Sequence, residues 1–273
     1  MGAELITGTP DLLAVLQDGI LTLTMNRPAA RNALNREMIL AMAQQLASAE
    51  LNPAVKCVVL TGAGKAFCSG GDLKGDTASE DGAPVVNIDE RTSSQRYFQR
   101  EISGRLHAMA KPTLAVLPGA AAGAGMALAL ACDLRLLAEP AFFTTAFVNV
   151  GFSGDFGGTY FLSQLVGPAK AKELYFLSDR VSSAQALQLG LANWVCEAEE
   201  LEHKSAETAR RLATGPSVAL SYMKENLNRA LHASLTECLD LEATHHIRCG
   251  QTEDHREAVG AFIEKRKPVF RGR

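Results

Sequence analysis

None of the six cysteines, at 57, 68, 132, 196, 238 and 249, forms a CxxC pair, and no Cys/His spacing of the metal-binding kind occurs. Several lie in apolar runs, where reduced thiols act as small core residues, which fits a cytoplasmic protein. The opening MGAELITGTP lacks a basic stretch leading into an apolar core, so no signal peptide is expected, and Ile6 stands where myristoylation needs Ser or Thr. GxSxG and HExxH are absent. GAGKAF at 62–67 lacks the phosphate-loop spacing, and GAGMAL at 123–128 lacks the last glycine of GxGxxG. A net charge of -3 offers no footprint for nucleic acid or an anionic membrane. The six histidines are scattered, and His203, His245 and His246 are expected on solvent-facing helices.

What is present is an ordinary globular composition: 273 residues, 47% hydrophobic and 21% charged. Residues 112–132, PTLAVLPGAAAGAGMALALAC, carry no charge and are long enough to span a bilayer. Pro112, Pro118 and the abundance of Ala and Gly favour instead a buried strand at 113–117, a tight turn, and a helix from about Gly123. Runs at 12–17 and 20–25 around Asp18-Gly19 read as a hairpin. Residues 36–51 have helical spacing, 55–61 read as a buried strand, and 75–90 read as a polar, mobile loop. A helix over 91–110 and a strand over 133–137 complete an alternation that implies parallel β-structure. The second half reads as helices at 170–177, 183–189, 199–213, 217–230, 235–248 and 252–265. The expected organisation is one continuous unit, a 1–200 α/β core followed by a 201–273 helical region.

Three glycine-rich stretches follow apolar runs. AFCSGGDLK, residues 66–74, and the 119–125 turn each come after a buried strand. Either is a plain turn, or it presents a backbone N–H; two such donors converging make an oxyanion hole. The third, 150–159, holds Asp155 between Phe152 and Phe156. A carboxylate among aromatics is desolvated and becomes a better base, whereas the alternative is a cap on the helix beginning near Gly158.

Taken in order, Asn26-Arg27-Pro28 with Arg31-Asn32-Ala33-Leu34, AFCSGGDLK, the stretch ending Ala131-Cys132-Asp133, VGFSGDFGGTYFLSQLVG, 184–190 with Leu191-Ala192, and AFIEKRKPVF resemble the crotonase, or enoyl-CoA hydratase/isomerase, superfamily. The resemblance covers about 240 residues. It implies a spiral of ββα turns with a C-terminal helical trimerisation region, trimers often pairing into hexamers. It implies an acyl-CoA substrate, with no metal and no cofactor beyond the substrate's own CoA. The oxyanion hole falls on the N–H groups of Gly71 and Ala124. Arg27, Arg31 and Lys74 match positions near the CoA phosphates and adenine, Ala66 and Ser69 line the adenine side, and Phe262 and Lys265 match residues that reach a CoA, often in a neighbouring subunit. Phe147, Phe152 and Phe156 suggest an apolar acyl pocket.

The departures from the family pattern carry information too. Hydratases add water with two glutamates, and the matching positions here are Ala127 and Phe147. Asp155 matches the acid of the enoyl-CoA isomerases. The resemblance therefore implies isomerisation through one proton-shuttling acid; the alternatives are an enoyl-CoA hydratase or other crotonase chemistry, and a non-catalytic acyl-CoA-binding protein.

Overall fold

The computed structural model describes residues 2–73 and 87–273. Strand β1 (Ala3–Leu5) pairs antiparallel with β2 (Leu12–Gln17), which turns through Asp18 and Gly19 into β3 (Ile20–Met25). Asp18 and Gly19 both have positive φ, 51° and 79°, the requirement of the two-residue hairpin that Asp-Gly signals. Helix α1 (Arg36–Leu51) starts at Asn35, whose side chain accepts from Met38 N at 3.0 Å. Its apolar face, Met38, Met42 and Leu46, is fully buried.

Beyond β3 the main sheet is parallel: β4 (Cys57–Gly62), β6 (Thr113–Leu117), β8 (Leu134–Ala138) and β11 (Trp194–Cys196) add in that order. Parallel strands covered on both faces read as unbroken apolar runs, which is why 55–61 and 113–117 stood out in sequence. After β4, β6 and β8 the chain gives one short strand to a second sheet: β5 (Ala66–Cys68), β7 (Ala120–Ala122) and β9 (Phe142–Thr144), with β10 (Val181–Ser182) at its edge. Three-residue strands are too short to show a period, so β7 was legible only as a turn.

A helix closes each unit. Helix α2 (Ile88–Gln99) continues through a π turn at Arg100–Gly104 into Arg105–Ala108; α3 is Ala124–Ala131 and α4 is Gly158–Leu177. Strand, strand, helix thus repeats as a ββα spiral, and the ends of β5, β7 and β9 come side by side. The loop expected over 75–90 falls mostly outside the described residues, and from Ile88 it is already helical. Helix α4 starts at Gly158, as expected, and runs on into the helix expected over 170–177; Gly167, at φ 77° and ψ 163°, breaks the helical backbone between the two pieces, ahead of Pro168. The uncharged 112–132 run is divided among β6, β7 and α3. Among the described residues, no helix is long and apolar enough to cross a membrane.

Helix α5 (Ser183–Gln188) opens on a capping box of Ser182 and Gln185. Helix α6 (Leu201–Ala213) packs Leu201 and Ala209 against the sheet face formed by Val59, Leu114, Val116 and Leu136. Helices α7 (Ser217–Ala230), α8 (Leu235–Cys249) and α9 (Glu253–Ile263) complete the chain. Buried Lys224 fastens α7 to the core, 2.9 Å from Asp133 Oδ2 and donating to Leu106 O at 2.9 Å. His203 and His246 are exposed as expected, but His245 is not. Helix α8 folds back on α7, so His245 is buried, stacks on Tyr222 with ring centroids 4.0 Å apart, and lies 2.6 Å from Asn226 Oδ1.

Candidate active site

The site forms where β5 and β7 end. Leu34 makes a parallel bridge to Gly71: Leu34 N donates to Gly70 O at 2.8 Å, and Asp72 N donates to Leu34 O at 3.0 Å. That pattern uses the groups on either side of Gly71 and turns the Gly71 N–H to the opposite side, where Gly71 is exposed. Ala124 is the first residue of α3, so its N–H is one of the helix-start donors without an intrahelical partner. Among the described residues no acceptor takes either N–H.

Close backbone approach brings the two donors together. A Cβ on Gly125 would lie 2.4 Å from Cys68 O, and one on Gly70 would lie 3.6 Å from Ala124 N. Gly123 turns the chain from β7 into α3 at φ 53° and ψ -123°, a backbone conformation that L side chains rarely adopt. The first loop is held by Asn32, fully buried in the left-handed region. Its side chain accepts from Arg27 N at 2.9 Å and donates to Ala63 O at 3.0 Å and Ala66 O at 2.8 Å. Arg27 braces the same loop: its guanidinium is 2.8 Å from Asp72 Oδ2 and donates to Ala33 O at 2.7 Å. Arg27 and Asn32 of the NRP…RNAL motif therefore scaffold the loop that carries Gly71.

A groove beside the second sheet brings together Arg31, Ala66 and Ser69, three of the residues that the resemblance assigns to CoA. Its far wall carries Phe142 and Arg180, the guanidinium carbon 4.6 Å from the ring centroid. Two cations at one groove suit a polyanionic ligand in a chain of net negative charge. Lys74 lies outside the described residues. Phe262, near the end of α9, and Lys265, just past it, are both exposed.

On the other side of the donors is a recess lined by Gly123, Ala127, Phe147, Gly158 and Tyr175. Ala127 and Phe147, which the resemblance matches to the hydratase glutamates, line one apolar space too narrow for a water molecule. Asp155 stands next to it. Burial pushes its carboxyl up to about 6 from 3.8, and its Oδ1 is buried without a hydrogen-bond partner among the described residues. The cap of α4 is Gly157 and involves no side chain, so Asp155 does not cap the helix. Cys68 offers no nucleophile: burial holds its thiol at about 12. Of the three phenylalanines expected in the acyl pocket, only Phe147 lines the recess. Phe156 is buried in the core and Phe152 is 61% exposed.

Sequence reasoning missed two residues. Arg180 carried no signal because it reaches the groove only through the pairing of β10 with β9. Tyr175 stacks on Phe147, centroids 6.0 Å apart and planes within 7°, from the far end of α4. It lies 20 residues from Asp155, and only the fold makes them neighbours.

Two uncommitted backbone N–H groups, one desolvated carboxylate and a groove with two arginines make a site for holding charge on a carbonyl oxygen while a nearby proton moves. An enoyl-CoA hydratase/isomerase family model matches residues 16–273, and the chain belongs to that family. It is 36% identical over 263 residues to the 1,2-epoxyphenylacetyl-CoA isomerase of Escherichia coli, covering 96% of this chain and 98% of that protein. It is 34% identical over 249 residues to the short-chain-enoyl-CoA hydratase of Clostridium acetobutylicum, covering 91% and 92%. Among solved structures it is similar to an enoyl-CoA hydratase from Polaromonas sp. JS666, with TM-score 0.87 and 33% identity, covering 95% and 99%.

Proposed function

We propose that this enzyme is an acyl-CoA isomerase that moves a double bond by a proton shift. The thioester oxygen accepts from Gly71 N–H and Ala124 N–H, the latter at the positive end of α3. Charge pooled on that oxygen makes an α-proton removable near neutral pH. Asp155 takes the proton from Cα; the C–H electron pair spreads into a dienolate; Asp155 returns the proton at Cγ, and a 3-enoyl-CoA becomes a 2-enoyl-CoA. The observation that carries this reading is the buried, unpartnered Oδ1 of Asp155 beside a recess whose other acid positions are Ala127 and Phe147. One acid suffices to shuttle a proton, while the two-glutamate route to hydration has neither of its groups. The CoA moiety lies along Arg31, Ala66, Ser69 and Arg180. The family relatives carry both isomerase and hydratase names, and the acid count supports the isomerase reading.

Exposed apolar residues along the C-terminal helices, among them Leu227, Leu235 and Phe262, support assembly into a trimer or a hexamer that brings Phe262 and Lys265 to a neighbour's CoA. The purified protein incubated with 3-enoyl-CoA is expected to accumulate 2-enoyl-CoA. Accumulation of 3-hydroxyacyl-CoA from 2-enoyl-CoA, with no isomerisation, would replace this reading with hydration.

A further inference from the structure

The groove and the recess share a wall. Thr144 and Ala146 line the groove, while Thr145 and Phe147, which alternate with them, line the recess. The chain around the end of α4 does the same, with Tyr175 in the recess and Ser178 and Arg180 in the groove. The two spaces differ in size. The groove encloses about 320 Å³, whereas the recess is too narrow for a water molecule. Phe147 and Tyr175 close it with stacked rings. An acyl group reaches this space only if that stack moves.

One hydroxyl pins the wall. Ser178 Oγ accepts from Ala146 N at 2.8 Å, Asn149 Nδ2 donates to it at 3.4 Å, and the hydroxyls of Thr144 and Thr145 each stand 3.3 Å away. Four polar groups crowd an oxygen with two lone pairs, and the Asn149 bond is the longest of them. Ala146 and Ser178 both have φ 58°, a left-handed backbone that residues other than glycine hold only where their surroundings impose it. Asn149 lines the groove and is exposed. It also belongs to the single 3-10 turn Phe147–Val150, so a movement of Asn149 carries Phe147 with it. The same segment adjoins the oxyanion hole, because Gly123 N, next to the Ala124 donor, donates to Thr144 O at 3.1 Å.

We propose that this wall couples the two spaces, with Asn149 as a positioning residue: a CoA phosphate held by Arg31 and Arg180 takes the Asn149 amide donor from Ser178, the turn carrying Phe147 shifts, and the recess opens for the acyl group. This rests on the acyl-CoA isomerase reading and deepens it. A phosphate oxygen is an ionised acceptor and outcompetes a neutral hydroxyl at 3.4 Å. That contact exists only when the groove is filled and the turn has moved, which is the differential affinity needed to favour the open state. Contacts to the non-reacting end of the substrate thereby prepare the reacting end.

The test uses a 3-enoyl thioester of N-acetylcysteamine, which lacks the nucleotide, with and without adenosine 3′,5′-bisphosphate, which is the nucleotide end alone. In wild type the bisphosphate should raise turnover of the truncated ester roughly tenfold, within the usual range of coupling between two sites. In Asn149→Ala, an exposed position where truncation leaves the core intact, the rate should change by less than about twofold on adding the bisphosphate. Amide hydrogen exchange reads the wall without turnover: with the bisphosphate bound, Ala146 N–H, donated to Ser178, and Phe152 N–H, donated to Phe147 O, should exchange faster in wild type. A bisphosphate that binds by calorimetry yet leaves turnover unchanged, exchange that is unchanged or slower, or an Asn149→Ala variant stimulated as strongly as wild type overturns the inference, and isomerisation of the full 3-enoyl-CoA leaves the isomerase reading standing. A bisphosphate that does not bind overturns the coupling as well. If wild type isomerises neither the truncated nor the full ester, the isomerase reading falls and the exchange measurement alone decides the coupling.

Discussion

Asp155→Asn should make the protein more stable and nearly inactive at once. The side chain has no capping role, and its Oδ1 has no partner, so the substitution breaks no hydrogen bond at that atom. What it removes is a carboxylate whose folded-state pKa, about 6, stands above its ordinary 3.8. Above pH 6 both folded and unfolded chains hold Asp155 ionised, and the folded state bears the desolvation cost. Two pKa units correspond to roughly 3 kcal/mol. Between about 6 and 3.8 the folded state binds a proton that the unfolded state does not, so wild-type stability rises as pH falls through that window and the cost is gone below it. At pH 7.5 the variant is therefore expected to melt roughly 5 °C higher than wild type, with the gap closing toward pH 4. Turnover of 3-enoyl-CoA should fall by roughly a hundredfold or more, the range for a positioned general base. For wild type, kcat/KM should rise with pH around a midpoint near 6, since only the ionised form accepts a proton. The assay pairs thermal melts at pH 4.5 and 7.5 with the absorbance of the conjugated 2-enoyl thioester. A variant that keeps wild-type turnover refutes Asp155 as the base; one that melts well below wild type refutes the claim that the carboxylate is destabilising.

Gly125→Ala would place a Cβ 2.4 Å from Cys68 O and force the two donor loops apart; a loss of roughly a hundredfold in kcat with about 1–3 kcal/mol of destabilisation is expected from kinetics and urea melts. Asn32→Ala removes three hydrogen bonds of a fully buried amide, and chemical denaturation should register a loss of about 2–4 kcal/mol. Arg31→Ala and Arg180→Ala should each raise KM for CoA thioesters by roughly tenfold with kcat retained; equal KM values in a steady-state assay would remove the groove from CoA binding.

Elements with their own period were readable from sequence. The Asp18-Gly19 hairpin, α1 with its Asn35 cap, and the apolar strands β4 and β6 follow from local dihedral preference and from burial on both faces of a parallel sheet. The short strands β5, β7 and β9 have no period of their own, and they exist because neighbouring turns of the spiral offer hydrogen-bond partners. The positions Gly71, Ala124 and Asp155 came from motif order, but their chemistry did not. Whether Asp155 caps a helix was open in sequence, and the Gly157 cap excludes it. Phe152 and Phe156 are two of three aromatics close in sequence to Asp155, yet one faces solvent and the other the core, because nearness along a loop does not fix which way a side chain points. Tyr175 and Arg180 show the converse. Tyr175 lines the recess and Arg180 the groove only through contacts made by residues far away in the chain, and no local pattern encodes a neighbour that folding alone supplies.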